Sequence, residues 1–166
     1  FNPGTGLAYV NTMQLGNTYE PRPPKDYKAG QPSGPGSVKR TPLFVDPNKR
    51  GFLKAIDPMT GKTKWEAAFK SPNYGSTMTT AGGLVFTGVM TGEFEAYDAD
   101  NGKKLWSFQT SSGILGQPIT WEMNGKQYVT VLSGIGGVYA LRAGDPNLKN
   151  VPAGASLWTF ELFQGK

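Results

Sequence analysis

Apolar and polar positions alternate in short runs along the chain, and each run is bounded by Gly, Asn, Asp or Pro. That period suits half-buried strands better than helices. The runs predict strands over Leu7–Met13, Gly51–Asp57, a stretch carrying Trp65 and ending near Phe69, Leu84–Met90, Glu93–Asp98 and Lys104–Thr110. Four more follow at Gln117–Met123, Gln127–Leu132, Val138–Arg142 and Ser156–Leu162. Their lengths are ordinary for strands. Asn124-Gly125, between two of them, is the strongest short hairpin signal in the chain. From about residue 16 to 50 the alternation dissolves into scattered Pro, Gly and Lys, and an insertion of that length suggests an excursion over one face of the fold.

One pattern is written twice. Ala55-Ile-Asp57-Pro-Met-Thr60-Gly61-Lys62-Thr-Lys-Trp65 returns 41 residues later as Ala96-Tyr-Asp98-Ala-Asp-Asn101-Gly102-Lys103-Lys-Leu-Trp106. A strand, a turn with an Asp to bind backbone amides and a Gly to supply positive φ, then a second strand, make a hairpin. A period near forty with this content predicts an array of small sheets, each packed on the next. The fold class expected is all-β, a β-propeller segment of about three four-stranded blades. Residues 1–70 form the first blade with its Pro-rich insertion at about 16–50, residues 71–112 the second, and residues 113–166 the third with a tail. Trp65, Trp106 and Trp158 are expected to be buried in matching outer strands. Three blades cannot close a ring, so the chain should complete itself with the remainder of a longer polypeptide, a partner or a second copy.

Composition narrows the chemistry. Net charge is +5 from 17 Lys and Arg against 12 Asp and Glu, spread along the chain without a basic stripe, so no nucleic-acid footprint is expected. There is no Cys and no His. Disulfides, thiolate or imidazole metal sites and Ser-His or Cys-His nucleophile pairs are therefore excluded from these residues. No apolar run approaches the length of a membrane-spanning helix. The chain opens on Phe1 rather than Met, which suggests a processed or truncated piece of something larger.

Chemistry is then left to a bound cofactor or another part of the protein. Gly134-Ile-Gly136-Gly137 resembles half a dinucleotide fingerprint, but no helix follows it, so turn chemistry is the better reading. Asp57 and Asp98 occupy identical repeat positions and read as turn caps rather than paired catalytic carboxylates. The inner strands of a propeller converge on a central channel where ligands collect. Asn11, Met13, Gln14, Tyr74, Gly75, Gly137, Val138 and Tyr139 are the residues at strand and loop ends that could face it.

The tandem Ala-x-Asp-x-x-Thr/Asn-Gly-Lys-x-x-Trp pattern resembles the tryptophan-docking motif of the eight-bladed quinoprotein propellers. The stretches Tyr74-Gly-Ser-Thr-Met-Thr-Thr-Ala-Gly-Gly-Leu-Val-Phe-Thr-Gly and Gly125-Lys-Gln-Tyr-Val-Thr-Val-Leu-Ser-Gly-Ile-Gly-Gly are similar to the C-terminal portion of soluble pyrroloquinoline quinone (PQQ)-dependent methanol and ethanol dehydrogenases. So is Asp145-Pro-Asn147-Leu, followed by Val151-Pro-Ala-Gly and Ser156-Leu-Trp158. The resemblance implies a periplasmic enzyme that oxidises primary alcohols, with PQQ in the channel beside Ca²⁺ or a lanthanide ion and a cytochrome c-type electron acceptor. It places the metal ligands and the catalytic Asp in earlier blades, outside these residues. The cofactor contacts it carries over are Tyr74, Gly136, Gly137, Val138, and Met13 or Gln14. Tyr74 and Val138 each stand where methanol dehydrogenases have a Trp, which implies a broader alcohol-oxidising quinoprotein. A quinoprotein acting on sugars or polyols, and a non-catalytic propeller scaffold of the outer-membrane assembly type, are the alternatives.

Overall fold

The computed structural model describes residues 1–14, 16–20, 29–30, 39–43, 46–136 and 145–162. Among these, the extended runs pair into antiparallel sheets, and the one helical element is a single 3-10 turn, Pro146–Leu148. The first sheet holds β1 (Ala8–Met13), β4 (Gly51–Ile56) and β5 (Thr63–Phe69), in that order. The second holds β6 (Thr77–Thr79), β7 (Leu84–Gly88), β8 (Glu93–Asp98) and β9 (Lys104–Gln109). The third holds β10 (Ile119–Met123), β11 (Lys126–Ser133) and β12 (Ser156–Glu161). Between β1 and β4, the insertion forms a ribbon that the alternation did not reveal: β2 (Gly16–Glu20) pairs with β3 (Lys39–Leu43). A two-stranded ribbon has only edges, and edges tolerate a residue such as Pro42 that has no N–H to donate.

The second sheet has the expected four strands, while the first and third show three each among the described residues. Val138–Arg142, expected as a strand of the third sheet, lies outside them. Trp65 and Trp106 lie in the outermost strands of their sheets, opposite Ala55 and Ala96. Trp158 also lies in the outer described strand of its sheet, β12, but it faces Val131 across a direct β11–β12 pairing rather than an Ala.

The middle sheet packs on both sides, as strand alternation requires of a sheet between two others. Val85 and Tyr97 turn toward the first sheet and join Leu7, Tyr9, Leu53, Ala55 and Phe69. Phe86, Phe94 and Ala96 turn the other way and join Ile114 and Val131. Leu53 and Phe94 are fully buried, and side chains of this kind each contribute about 1.5–3 kcal/mol of burial energy. Among these apolar contacts sits one charge: the buried Glu95 carboxylate accepts from the Tyr97 hydroxyl and from Lys104 Nζ. Burial, helped by the hydrogen bond to Glu95, holds the Tyr97 phenol well above its usual range. The outer face of the third sheet is uncovered, with Leu132 opposite a Leu157 that is 69% exposed.

The repeat explains how the first two sheets lock. Trp65 Nε1 donates to the Ala99 carbonyl at 3.0 Å, and its ring lies 6.4 Å from Tyr97 and 5.8 Å from Tyr9, centroid to centroid. Beneath the ring is Gly102, where a Cβ would approach Trp65 Cδ2 to 2.6 Å. The Trp of the first copy thus covers the Gly turn of the second. Trp106 meets Phe94 and Phe160 edge-on, yet stays 38% exposed beside an open apolar groove of about 440 Å³ lined by Leu84, Phe86, Val129 and Phe160. Its incomplete burial departs from expectation, because the groove between β9 and β12 beside it is open among the described residues.

A last segment crosses the sheets at one end. Asp145 is buried and accepts from Arg50 Nη1 at 2.8 Å, while the same oxygen takes the Asn147 amide and so caps the 3-10 turn. Leu148 then packs against Met90 and Ile135. A strap anchored at the start of β4 therefore passes over the second sheet to the third.

Two outcomes are expected in denaturation of purified protein. Gly61 and Gly102 have nearly the same φ, +70° and +74°, but only Gly102 has a ring above it. Gly61→Ala should cost about 1–2 kcal/mol of left-handed strain, whereas Gly102→Ala adds about 1–3 kcal/mol of overpacking; equal losses would show that Trp65 does not dock there. Asp145→Ala removes the buried carboxylate that accepts from Arg50 Nη1 and should cost about 3–5 kcal/mol, while Arg50→Met combined with Asp145→Leu should recover most of it. A double variant no more stable than Asp145→Ala alone would contradict the strap.

Candidate functional site

Strand direction sorts the described loops of the three sheets to two ends. At one end lie the repeat turns. Asp57 accepts from the Met59 amide and the Thr60 hydroxyl, both at 2.8 Å, and these bonds, the hydroxyl first, lower its pKa below the usual carboxylate range. Asp98 accepts from the Asp100 and Asn101 amides at 2.8 and 3.1 Å. Both carboxylates are turn caps, as their spacing indicated.

The other end carries the residues expected to face a channel. There β1, β5, β7, β9 and β11 finish, and β4, β8 and β12 begin. Met13 and Gln14 close β1, with the Gln14 amide donating to Arg50 O at 2.9 Å. Tyr74 sits in the link from the first sheet to the second and is 42% exposed, and Met13 is 37% exposed. Their neighbours are tied into the fold, although the buried Asn11 Oδ1 has no hydrogen-bond partner. Asn11 Nδ2 donates to Gly75 O and to Thr87 Oγ1, and buried Asn73 accepts from the Gly75 amide at 3.2 Å. A Cβ on Gly75 would come within 2.8 Å of Gly88 O, so this Gly is required by close backbone approach. Asn11 and Gly75 are struts under Tyr74.

On the far side of the same end, β11 runs out through Gly134-Ile135-Gly136. Gly136 is exposed at φ +63°, and the nearest atom to a Cβ there would be Leu115 Cδ1 at 3.7 Å. Gly137, Val138 and Tyr139 lie outside the described residues. Beneath Gly136 is a cluster of buried hydroxyls that the sequence did not single out. Thr110 Oγ1 lies 2.7 Å from the Gly92 carbonyl and 2.8 Å from both the Ser112 carbonyl and Ser133 Oγ, with one proton shared among these acceptors. Ser112 Oγ accepts the Ile135 amide at 3.0 Å and donates to Pro152 O. The sequence signal for it is faint: Ser71 and Ser112 hold the same repeat position.

Hydrogen bonds tie these pieces into one wall. Asn11 reaches Gly75 and Thr87, Ile114 N donates to Val89 O at 3.0 Å, and Gly134 N donates to Gly113 O at 2.7 Å. An exposed aromatic ring, an exposed thioether and an exposed Gly fit a flat organic ligand better than a bare ion. Among the described residues no group of three Asp, Glu, His or Cys converges on a metal position. None of their helices is long and apolar enough to cross a membrane.

Comparison with known proteins gives the chain's relatives. Residues 66–129 match the family model described as glucose/ethanol/alcohol dehydrogenase, β-propeller domain, the PQQ family. The chain is 47% identical over 165 residues to a quinoprotein ethanol dehydrogenase of Pseudomonas aeruginosa, covering 98% of this chain and 26% of that protein. It is 42% identical over 164 residues to the quinoprotein alcohol dehydrogenase PedH of Pseudomonas putida, covering 98% of this chain and 27% of the other. Among solved structures, a europium-containing methanol dehydrogenase superposes with a TM-score of 0.86 at 33% identity, over 98% of this chain and 32% of its own. The chain thus spans about a quarter of the length of these curated relatives. Sequence and backbone together make it a β-propeller segment that is similar over nearly its whole length to part of the quinoprotein alcohol dehydrogenases.

Proposed function

We propose that these residues are the C-terminal part of a PQQ-dependent alcohol dehydrogenase that oxidises primary alcohols to aldehydes, and that they form one wall of its cofactor channel. The observation that carries this reading is the exposure of Tyr74, Met13 and Gly136 at one end of the sheets, opposite the capped turns, in a chain similar to quinoproteins throughout. The two-electron chemistry would be supplied by the quinone, with Ca²⁺ or a lanthanide held by residues outside this chain. The residues here have positional work. Tyr74 offers a ring edge or face to the cofactor, and Gly136 and Gly137 let backbone approach it where any side chain would stand in the way. Val138 and Met13 or Gln14 complete the contact on either side. Lined this way, the wall orients the cofactor and keeps water from its underside.

Localisation in the periplasm and electron transfer to a cytochrome c-type acceptor go with the same reading. The relatives are named for alcohol, ethanol and methanol, which supports an alcohol over a sugar or polyol as substrate. A scaffold propeller would have no use for an exposed Tyr74 above a braced Gly75.

Two variants of the full-length polypeptide test the assignment. Gly137→Val should lose most of its bound PQQ with little change in melting temperature, and Asp98→Ala should lower the melting temperature and keep its PQQ. Full quinone occupancy in Gly137→Val would overturn the wall as placed here.

A further inference from the structure

The second and third sheets treat the end of their second strand differently. After β7 the chain turns back at once into β8 and holds itself, with Val89 N donating to Glu93 O at 2.8 Å and Gly92 N to Val89 O at 3.0 Å. After β11 no such hairpin follows among the described residues. The amides that leave the strand are taken by the preceding unit instead: Gly134 N by Gly113 O at 2.7 Å, and Ile135 N by Ser112 Oγ at 3.0 Å.

Ser112 is 1% exposed and is itself fixed, its amide donating to Ser133 Oγ at 3.1 Å and its carbonyl accepting from Ser133 Oγ at 2.8 Å and from Thr110. Its hydroxyl uses both capacities, accepting from Ile135 N and donating to Pro152 O. It therefore joins three segments: the link out of β9, the exit of β11 and the approach to β12. Next to it, a Cβ on Gly113 would meet Met90 O at 2.3 Å, so the link cannot slide to follow a moving Ile135. The repeat supplies its own comparison. Ser71 is the equivalent residue one period earlier, equally buried at 1% exposure, and its hydroxyl has no hydrogen-bond partner. Burial of a serine at this repeat position does not depend on the bond, whereas the clamp on Ile135 does.

We infer that Ser112 is a positioning residue for cofactor binding: its hydroxyl fixes the backbone at Ile135 and so sets where Gly136 stands in the channel wall. This rests on the PQQ reading given above. Removing the hydroxyl leaves a buried Ile135 amide without an acceptor, and the exit of β11 is free to shift by the distance that separates contact from gap.

The test uses the full-length protein freed of PQQ, with two readouts: the PQQ dissociation constant from fluorescence titration, and the melting temperature of the apo form. Ser112→Ala should weaken PQQ binding by about tenfold. Ser71→Ala should leave it unchanged, and Tyr97→Phe should lower the melting temperature without moving the dissociation constant. If Ser112→Ala does not fold, Ser112→Cys keeps the volume with a poor hydrogen-bonding group and should shift binding in the same direction. A wild type that binds PQQ while the Ser112 variants bind as Ser71→Ala does would overturn this inference alone. A wild type that binds no PQQ would overturn the functional reading and this inference with it.

Discussion

The second sheet has no face it can show to water. Val85 and Tyr97 point one way and Phe86 and Phe94 the other, all buried, so the sheet exists only between two neighbours. Every other feature follows from satisfying that requirement at each period of the repeat. The first sheet meets it with Trp65, which fills the space over the Gly102 turn and spends its indole N–H on the Ala99 carbonyl. The third sheet meets it with Trp158 and Phe160, which pack against Phe108 and Phe94. Hydrophobic contact of this kind is non-directional, and the Trp–Gly turn contact adds the register that fixes how one sheet sits on the next.

Stacking sheets by their faces leaves their strand ends gathered at two rims, and the chain uses the rims differently. One rim is closed mainly by local chemistry, in which each Asp binds amides a few residues on, with Trp65 and Tyr9 of the first sheet reaching the Ala99 carbonyl of the second turn. The other is held by long-range polar contacts: Asn11 to Gly75, Thr110 to Ser133, Arg50 to Asp145. Buried polar groups joined in this way specify a geometry more sharply than apolar contact does, and a rim that must present Tyr74 and Gly136 to a rigid ligand has use for that.

What could be read from the sequence follows the same division. The Trp65 and Trp106 hairpins and the role of Asp57 and Asp98 are local, set by residues within a dozen positions, and the alternation and spacing displayed them. The place of β12 was not legible, because its partner β11 is fixed by hydrogen bonding across a connection of more than twenty residues. The β2–β3 ribbon was hidden by its Pro content. Burial of Trp106 was misjudged because it depends on the contacts β12 offers across the groove rather than on its own hairpin. The hydroxyl cluster of Thr110, Ser112 and Ser133 was invisible for a further reason. Serine and threonine are common in turns, and nothing local distinguishes one whose partner lies twenty residues away.

The central claim is that the polar-braced rim, and not the Asp-capped one, faces the cofactor. Hydrogen–deuterium exchange of the full-length apo-protein with and without PQQ addresses it directly, since exchange slows where backbone is ordered or covered. The account predicts slower exchange on PQQ binding in peptides spanning residues 71–76 and 133–139, with residues 57–62 and 98–103 unchanged. Protection at the Asp-capped turns, with none at Tyr74 or Gly136, would contradict it.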